Sequence, residues 1–155
     1  LFVLFHIKHI IVEEKKDKTE DLPFDDIANV QWAQKAITTL ADAGIIKGTS
    51  DTTYSPAANI TRADFAILLV RAFEKESDNT ENFSDVSESD YFARELAIAR
   101  NSGVVGGVGD NKFAPKNFIK RCDMMLMIYR VIGDKLNKSD APEYADFAEK
   151  MRTRF

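Results

Sequence analysis

The sequence predicts a mainly α protein built from tandem helix-loop-helix repeats, entered through a short strand-like tail. Three observations predict it. Laid over itself with Phe24 on Phe83, the chain matches without a gap: Asp26 falls on Asp85, Gly44 on Gly103, Gly48 on Gly107, Pro56 on Pro115, Arg62 on Arg121 and Asp64 on Asp123. Within each copy, apolar residues recur at the helical period on both sides of a glycine-marked loop. Helix stop and start signals fall at matching places in the two copies.

Taken in order, residues 1–12 are apolar and rich in β-branched and aromatic types, which reads as one strand at the tail of an upstream domain. His6 and His9 fall on opposite faces of such a strand, so they read as incidental rather than as metal ligands. Glu13 to Asp21 is almost wholly charged and is expected to be a linker, closing residues 1–21 as tail and linker.

The first repeat spans 22–79. Trp32, Ala36, Ile37, Leu40 and Ala43 share one helical face, and Gly44 supplies the stop. A loop with Gly48, Tyr54 and Pro56 follows. Thr61-x-x-Asp64 then starts a second helix, the hydroxyl accepting from an orphan amide and the carboxylate sitting at the positive helix end. Phe65, Leu68, Leu69, Ala72 and Phe73 form the stripe expected to face the core. The second repeat, 80–136, reads likewise through Tyr91, Phe92, Leu96 and Ala99, then Met124, Met127, Ile128 and Val131. Residues 137–155 are a connector and the truncated start of a third unit, where Tyr144-Ala145-Asp146-Phe147 echoes Phe83-Ser84-Asp85-Val86.

Composition narrows function. With 155 residues, a net charge of −4 and a pI near 5.2, the chain lacks the broad basic surface of a nucleic-acid binder. No apolar run reaches the ~18 residues of a membrane span. Cys122 is the only cysteine, which precludes an intrachain disulfide, and it reads as a packed or surface thiol. The loop glycines follow a helix and do not complete a dinucleotide fingerprint. Asp51 and Asp110 lack the further oxygen ligands of a calcium loop and read as turn formers. A nucleophile–base–orienter set is not visible, so no enzyme activity, cofactor or metal is expected.

Five short motifs in order carry a resemblance. Phe24-Asp25-Asp26-Ile27, Trp32-Ala33, Gly44-Ile45-Ile46-Lys47-Gly48, Tyr54-Ser55-Pro56 and Ile60-Thr61-Arg62-Ala63-Asp64 resemble the S-layer homology module. The resemblance implies a pseudo-threefold helical bundle of three modules. It implies a non-catalytic anchor that holds a surface protein on the bacterial cell wall, outside the cell, by binding an anionic and often pyruvylated secondary wall polysaccharide. The ligand residues it implies are Arg62, Asp26, Trp32 and Gly48, and in the second repeat Arg121, Asp85, Tyr91 and Gly107.

The residue chemistry agrees with that reading but leaves alternatives. An arginine in a first helical turn joins backbone amides turned toward an anion, and its planar fork suits a carboxylate. An aromatic ring packs on a sugar face, and a glycine admits close approach to backbone. Against this, Arg62 fits a bridge to Asp26 or Asp64, Trp32 fits the core, and Asp26 fits a helix cap or turn. Arg71 and Arg130 suit the negative end of their own helices better than a site. The second repeat replaces threonine with Lys120, at a cost of about 1 kcal/mol of helix-start stability, while adding a cation beside Arg121. A structural module that pairs with further copies in a surface lattice, without glycan, is the alternative function.

Overall fold

The computed structural model describes residues 22–136, with side chains through residue 132. The strand-like tail, the charged linker and the start of a third unit lie outside the described residues. Among these, four α-helices carry the fold and no strand is present: α1 (Gln31–Asp42), α2 (Arg62–Ala72), α3 (Ala93–Asn101) and α4 (Arg121–Leu136). The chain divides into two compact units between Asn59 and Ile60. That division falls inside the first sequence repeat, so α2 belongs to the compact unit that also contains the second repeat.

In the first unit, a 3-10 turn (Asp25–Ile27) leads into α1. Phe24, Ile27, Ile37 and Ile46 form its buried centre. The end of α1 shows why a glycine is needed at position 44. Gly44 adopts φ +71°, its amide donates to Ala41 O at 2.8 Å, and the Ile45 amide donates to Leu40 O at 3.0 Å. This is the two-bond closure in which a left-handed residue turns the chain back over the last carbonyls. α3 ends the same way through Gly103 (φ +75°), with Gly103 N to Arg100 O and Val104 N to Ala99 O.

In the second unit, α2 is the central helix and packs against α3 and α4. The expected stripe meets the core through Leu69, Phe65 and Phe73, but it is not the most deeply buried face. Ala63, Ala66, Ile67 and Val70 are buried together with Leu69, whereas Phe65, Leu68, Ala72 and Phe73 are only partly buried. The helix is apolar nearly all round, so periodicity alone does not choose a face. Ala63 and Ala66, both fully buried, lie on its deepest face. Phe83, Phe92, Leu96, Val104, Phe113, Met127 and Val131 complete this core. Burying one such large side chain contributes about 1.5–3 kcal/mol. Arg71 reaches Glu95 on α3 at 2.9 Å, so it ties two helices together in addition to lying near its own helix end.

Candidate functional site

The start of α2 is where the expected features can be checked. Thr61 is extended (φ −79°, ψ 164°) and its hydroxyl accepts from the Asp64 amide at 3.1 Å while donating to Asp64 Oδ2 at 2.5 Å. The expected cap is therefore present. The expectation that first-turn amides face an anion is corrected here. Arg62 N donates to Asn117 O at 2.8 Å and Ala63 N to Pro115 O at 3.0 Å, so the loop of the second repeat already occupies them. An antiparallel bridge between Thr61 and Phe118, with Ile119 N on Ile60 O at 3.1 Å, holds that loop in place.

Arg62 is 7% exposed. Its guanidinium lies over the Phe113 ring, 4.7 Å from the centroid. Nε donates to Phe113 O at 2.9 Å and Nη1 to Asp123 Oδ2 at 2.6 Å. The bridge it makes is thus to Asp123, the repeat-equivalent of Asp64, and to neither Asp26 nor Asp64. Nη2 makes no bond among the described residues and is not sealed from solvent. One edge of the fork remains open.

Asp64 is fully engaged. Besides Thr61 it accepts from the Tyr91 hydroxyl at 2.6 Å. Tyr91 stands 73% exposed, its ring edge-on to Phe92 at 4.9 Å. Partial burial of the hydroxyl, and then the Asp64 carboxylate, push its pKa up from 10 to about 12. The exposed ring is thereby fixed beside the α2 start. Trp32, at the same repeat position in the first unit, is 89% exposed. Of the two readings left open for Trp32, the core is the one the structure does not take.

The two opening-motif aspartates do one job. Asp26 accepts from Tyr54 N at 2.9 Å and Ser55 N at 2.7 Å; Asp85 accepts from Phe113 N at 2.9 Å and Ala114 N at 2.8 Å. Ser55 and Ala114 are non-glycine residues at φ +59° and +56°, a conformation that costs about 1 kcal/mol or more. Each carboxylate clamps the amide of the strained residue together with the amide just before it. The Tyr54 amide, chiefly, holds the Asp26 carboxyl below its ordinary range.

Gly48 and Gly107 sit under the same loops. A Cβ on Gly48 would lie 2.5 Å from both Phe24 Cε1 and Thr53 O; one on Gly107 would lie 2.7 Å from Lys112 O and 3.2 Å from Phe83 Cε1. Their neighbours Phe24 and Phe83 stack on Tyr54 and Phe113 at 5.7 and 5.2 Å.

Arg121 opens α4 and is exposed, as are Lys120 and Cys122. Among the described residues the first-turn amides of α4 lack the carbonyl partners found at α2. The two junctions are therefore unequal. The contacts that sequence reasoning missed are Asp123 on Arg62, Phe113 beneath Arg62, and Tyr91 on Asp64. The repeat register marks Asp64 and Asp123 as equivalent, but no spacing rule shows that one repeat's arginine reaches the other's aspartate.

Repeated helix-loop-helix units with interlocked helix starts define a class of tandem modular domain. The chain belongs to the S-layer homology domain family, whose model matches residues 23–66 and 82–125. It is 38% identical over 102 residues to endo-1,4-beta-xylanase A of Thermoanaerobacterium saccharolyticum, covering 65% of this chain and 9% of that protein. It is 28% identical over 115 residues to the surface-layer 125 kDa protein of Lysinibacillus sphaericus, covering 74% of this chain and 10% of that protein. It is 28% identical over 130 residues to S-layer protein EA1 of Bacillus anthracis, covering 81% and 15%. The chain thus spans a small part of each relative's length. No helix among the described residues is long and apolar enough to cross a membrane.

Proposed function

We propose that this chain is a non-catalytic anchor that holds a surface protein on the bacterial cell wall, outside the cell, by binding an anionic, pyruvylated secondary wall polysaccharide. The observation that carries the reading is the pair of exposed aromatics, Trp32 and Tyr91, at one repeat position. A large apolar ring left in water at a repeated place suits stacking on a sugar face. In this reading the open edge of Arg62 and the exposed Arg121 meet carboxylates. Asp26, Asp85, Gly48 and Gly107 act from behind, by fixing the loops. Family membership and the surface-layer proteins among the relatives support the location. The xylanase activity named in one relative belongs to that protein, of which this chain matches a small part.

A self-assembly role without glycan is the second reading, favoured by exposed Phe118 (64%) and Met125 (54%). Binding of purified wall polysaccharide to wild type, Trp32→Ala, Tyr91→Ala and Arg121→Ala separates the two. Anchoring predicts saturable binding weakened at least several-fold by an exposed-aromatic variant. Concentration-dependent self-association with no polysaccharide affinity would support the alternative.

A further inference from the structure

The two repeats differ at one place that the anchoring site does not use. In the first repeat, Gln34 on α1 turns its amide back onto the opening turn, with Nε2 donating to Ile27 O at 3.0 Å and to Ala28 O at 3.1 Å. Ile27 O also accepts from Val30 N at 3.0 Å. The Thr38 hydroxyl, one helical turn on, is sealed from solvent.

The second repeat has Ala93 where the first has Gln34, and Ala97 where it has Thr38. Its opening turn also closes one residue later, Asp90 N donating to Ser87 O at 3.0 Å. Val86 O, the counterpart of Ile27 O, therefore accepts no hydrogen bond among the described residues. A cleft of about 320 Å³ opens at this place, lined by Val86, Ala93, Ala97 and Ile98 with Asn79, Asn82, Glu88 and Arg94 around it. Asn82 is itself committed, donating to Ala93 O and accepting from Phe83 N, so it frames the cleft.

We propose that this cleft binds a primary carboxamide on a short aliphatic stem, the chemistry of a glutamine side chain. The ligand amide takes the place of the side chain that the first repeat supplies for itself. One N–H donor meets the Val86 carbonyl, unpaired among the described residues, as Gln34 meets that of Ile27. Its methylenes lie on Ala93, Ala97 and Ile98, where the alanines leave room. A carboxylate of the same shape forfeits that bond, because it brings only acceptors to the Val86 carbonyl oxygen. With Glu88 and Arg94 both at the cleft, its charge gains no net advantage. This inference is independent of the wall-binding reading.

The test is an amide-resolved NMR titration of the full chain with N-acetyl-glutamine methylamide, and with the isosteric glutamate compound as control. Saturable shifts at Val86, Ser87, Ala93 and Ala97, with millimolar affinity and at least a tenfold preference for the glutamine compound, are expected. Ala93→Gln should fill the cleft from within and abolish those shifts while keeping the folded spectrum. Absence of saturable shifts, equal response to the glutamate compound, or unchanged binding by folded Ala93→Gln would each overturn the proposal. If Ala93→Gln fails to fold, Ala97→Leu blocks the same floor and is read in the same way.

Discussion

Arg62 of the first repeat is held by Asp123 of the second, Nη1 to Oδ2 at 2.6 Å, while the same guanidinium lies on Phe113. The arginine at one helix start is thus locked by the carboxylate at the next. It acts as a tie between α2, α4 and the loop that joins α3 to α4. Arg62 is buried while Asp123 is 36% exposed. Removing Asp123 therefore leaves a buried guanidinium short of a partner, which costs more than a fully exposed bridge is worth.

Arg62→Ala is expected to destabilise the fold by about 2–3 kcal/mol, read as a lower urea midpoint. Arg62→Lys should recover only part of this, because lysine cannot bond Phe113 O and Asp123 together. In a double-mutant cycle with Asp123→Ala, the losses should be clearly less than additive.

The Asp26 clamp gives a pH signature. The Asp26 carboxyl is held below 3.8 in the folded protein, so its contribution is fully present above that value and is lost as pH falls through the lowered one. Asp26→Asn should flatten the acid limb of stability against pH. Asp85→Asn, which spoils the matching pair of bonds around Ala114, should cost about 1–2 kcal/mol at neutral pH. Chemical denaturation at several pH values measures both.

Gly48→Ala should cost far more than Gly44→Ala. Both residues have positive φ, worth about 1 kcal/mol when a Cβ is added. Nothing lies within 4 Å of a Cβ on Gly44, whereas one on Gly48 would meet Phe24 and Thr53 O at 2.5 Å. Thermal unfolding of the two variants side by side tests the difference.

Tyr91 should ionise near pH 12, later than an ordinary phenol. Asp64→Asn removes a carboxylate that favours the protonated form and should lower that value, followed by ultraviolet difference absorbance. Because the folded pKa lies above the unfolded one, Tyr91 stabilises the fold below pH 10 and the effect is lost as pH rises through about 12.

Much of the fold was legible in the sequence because repetition supplied a second reading of every signal. Gly44 and Gly103 mark helix ends, and Thr61 with Asp64 marks a helix start, by local chemistry that needs no tertiary context. The buried face of α2 was legible in part: Leu69, Phe65 and Phe73 meet the core as the stripe predicts, but Ala63, Ala66 and Ile67 lie deeper, which an almost wholly apolar helix does not mark in its period. The site residues divide in the same way. Exposure of Trp32 depends on what surrounds α1, which periodicity cannot report. The partner of Arg62 lies one repeat further on, at a distance along the chain that no helical spacing rule covers.

The most direct test of the anchoring account is co-sedimentation of the folded chain with purified wall sacculi, before and after chemical removal of the secondary polysaccharide. The account predicts binding to intact sacculi that is saturable and lost from stripped ones. Equal binding to intact and stripped sacculi, or none to either, would contradict it.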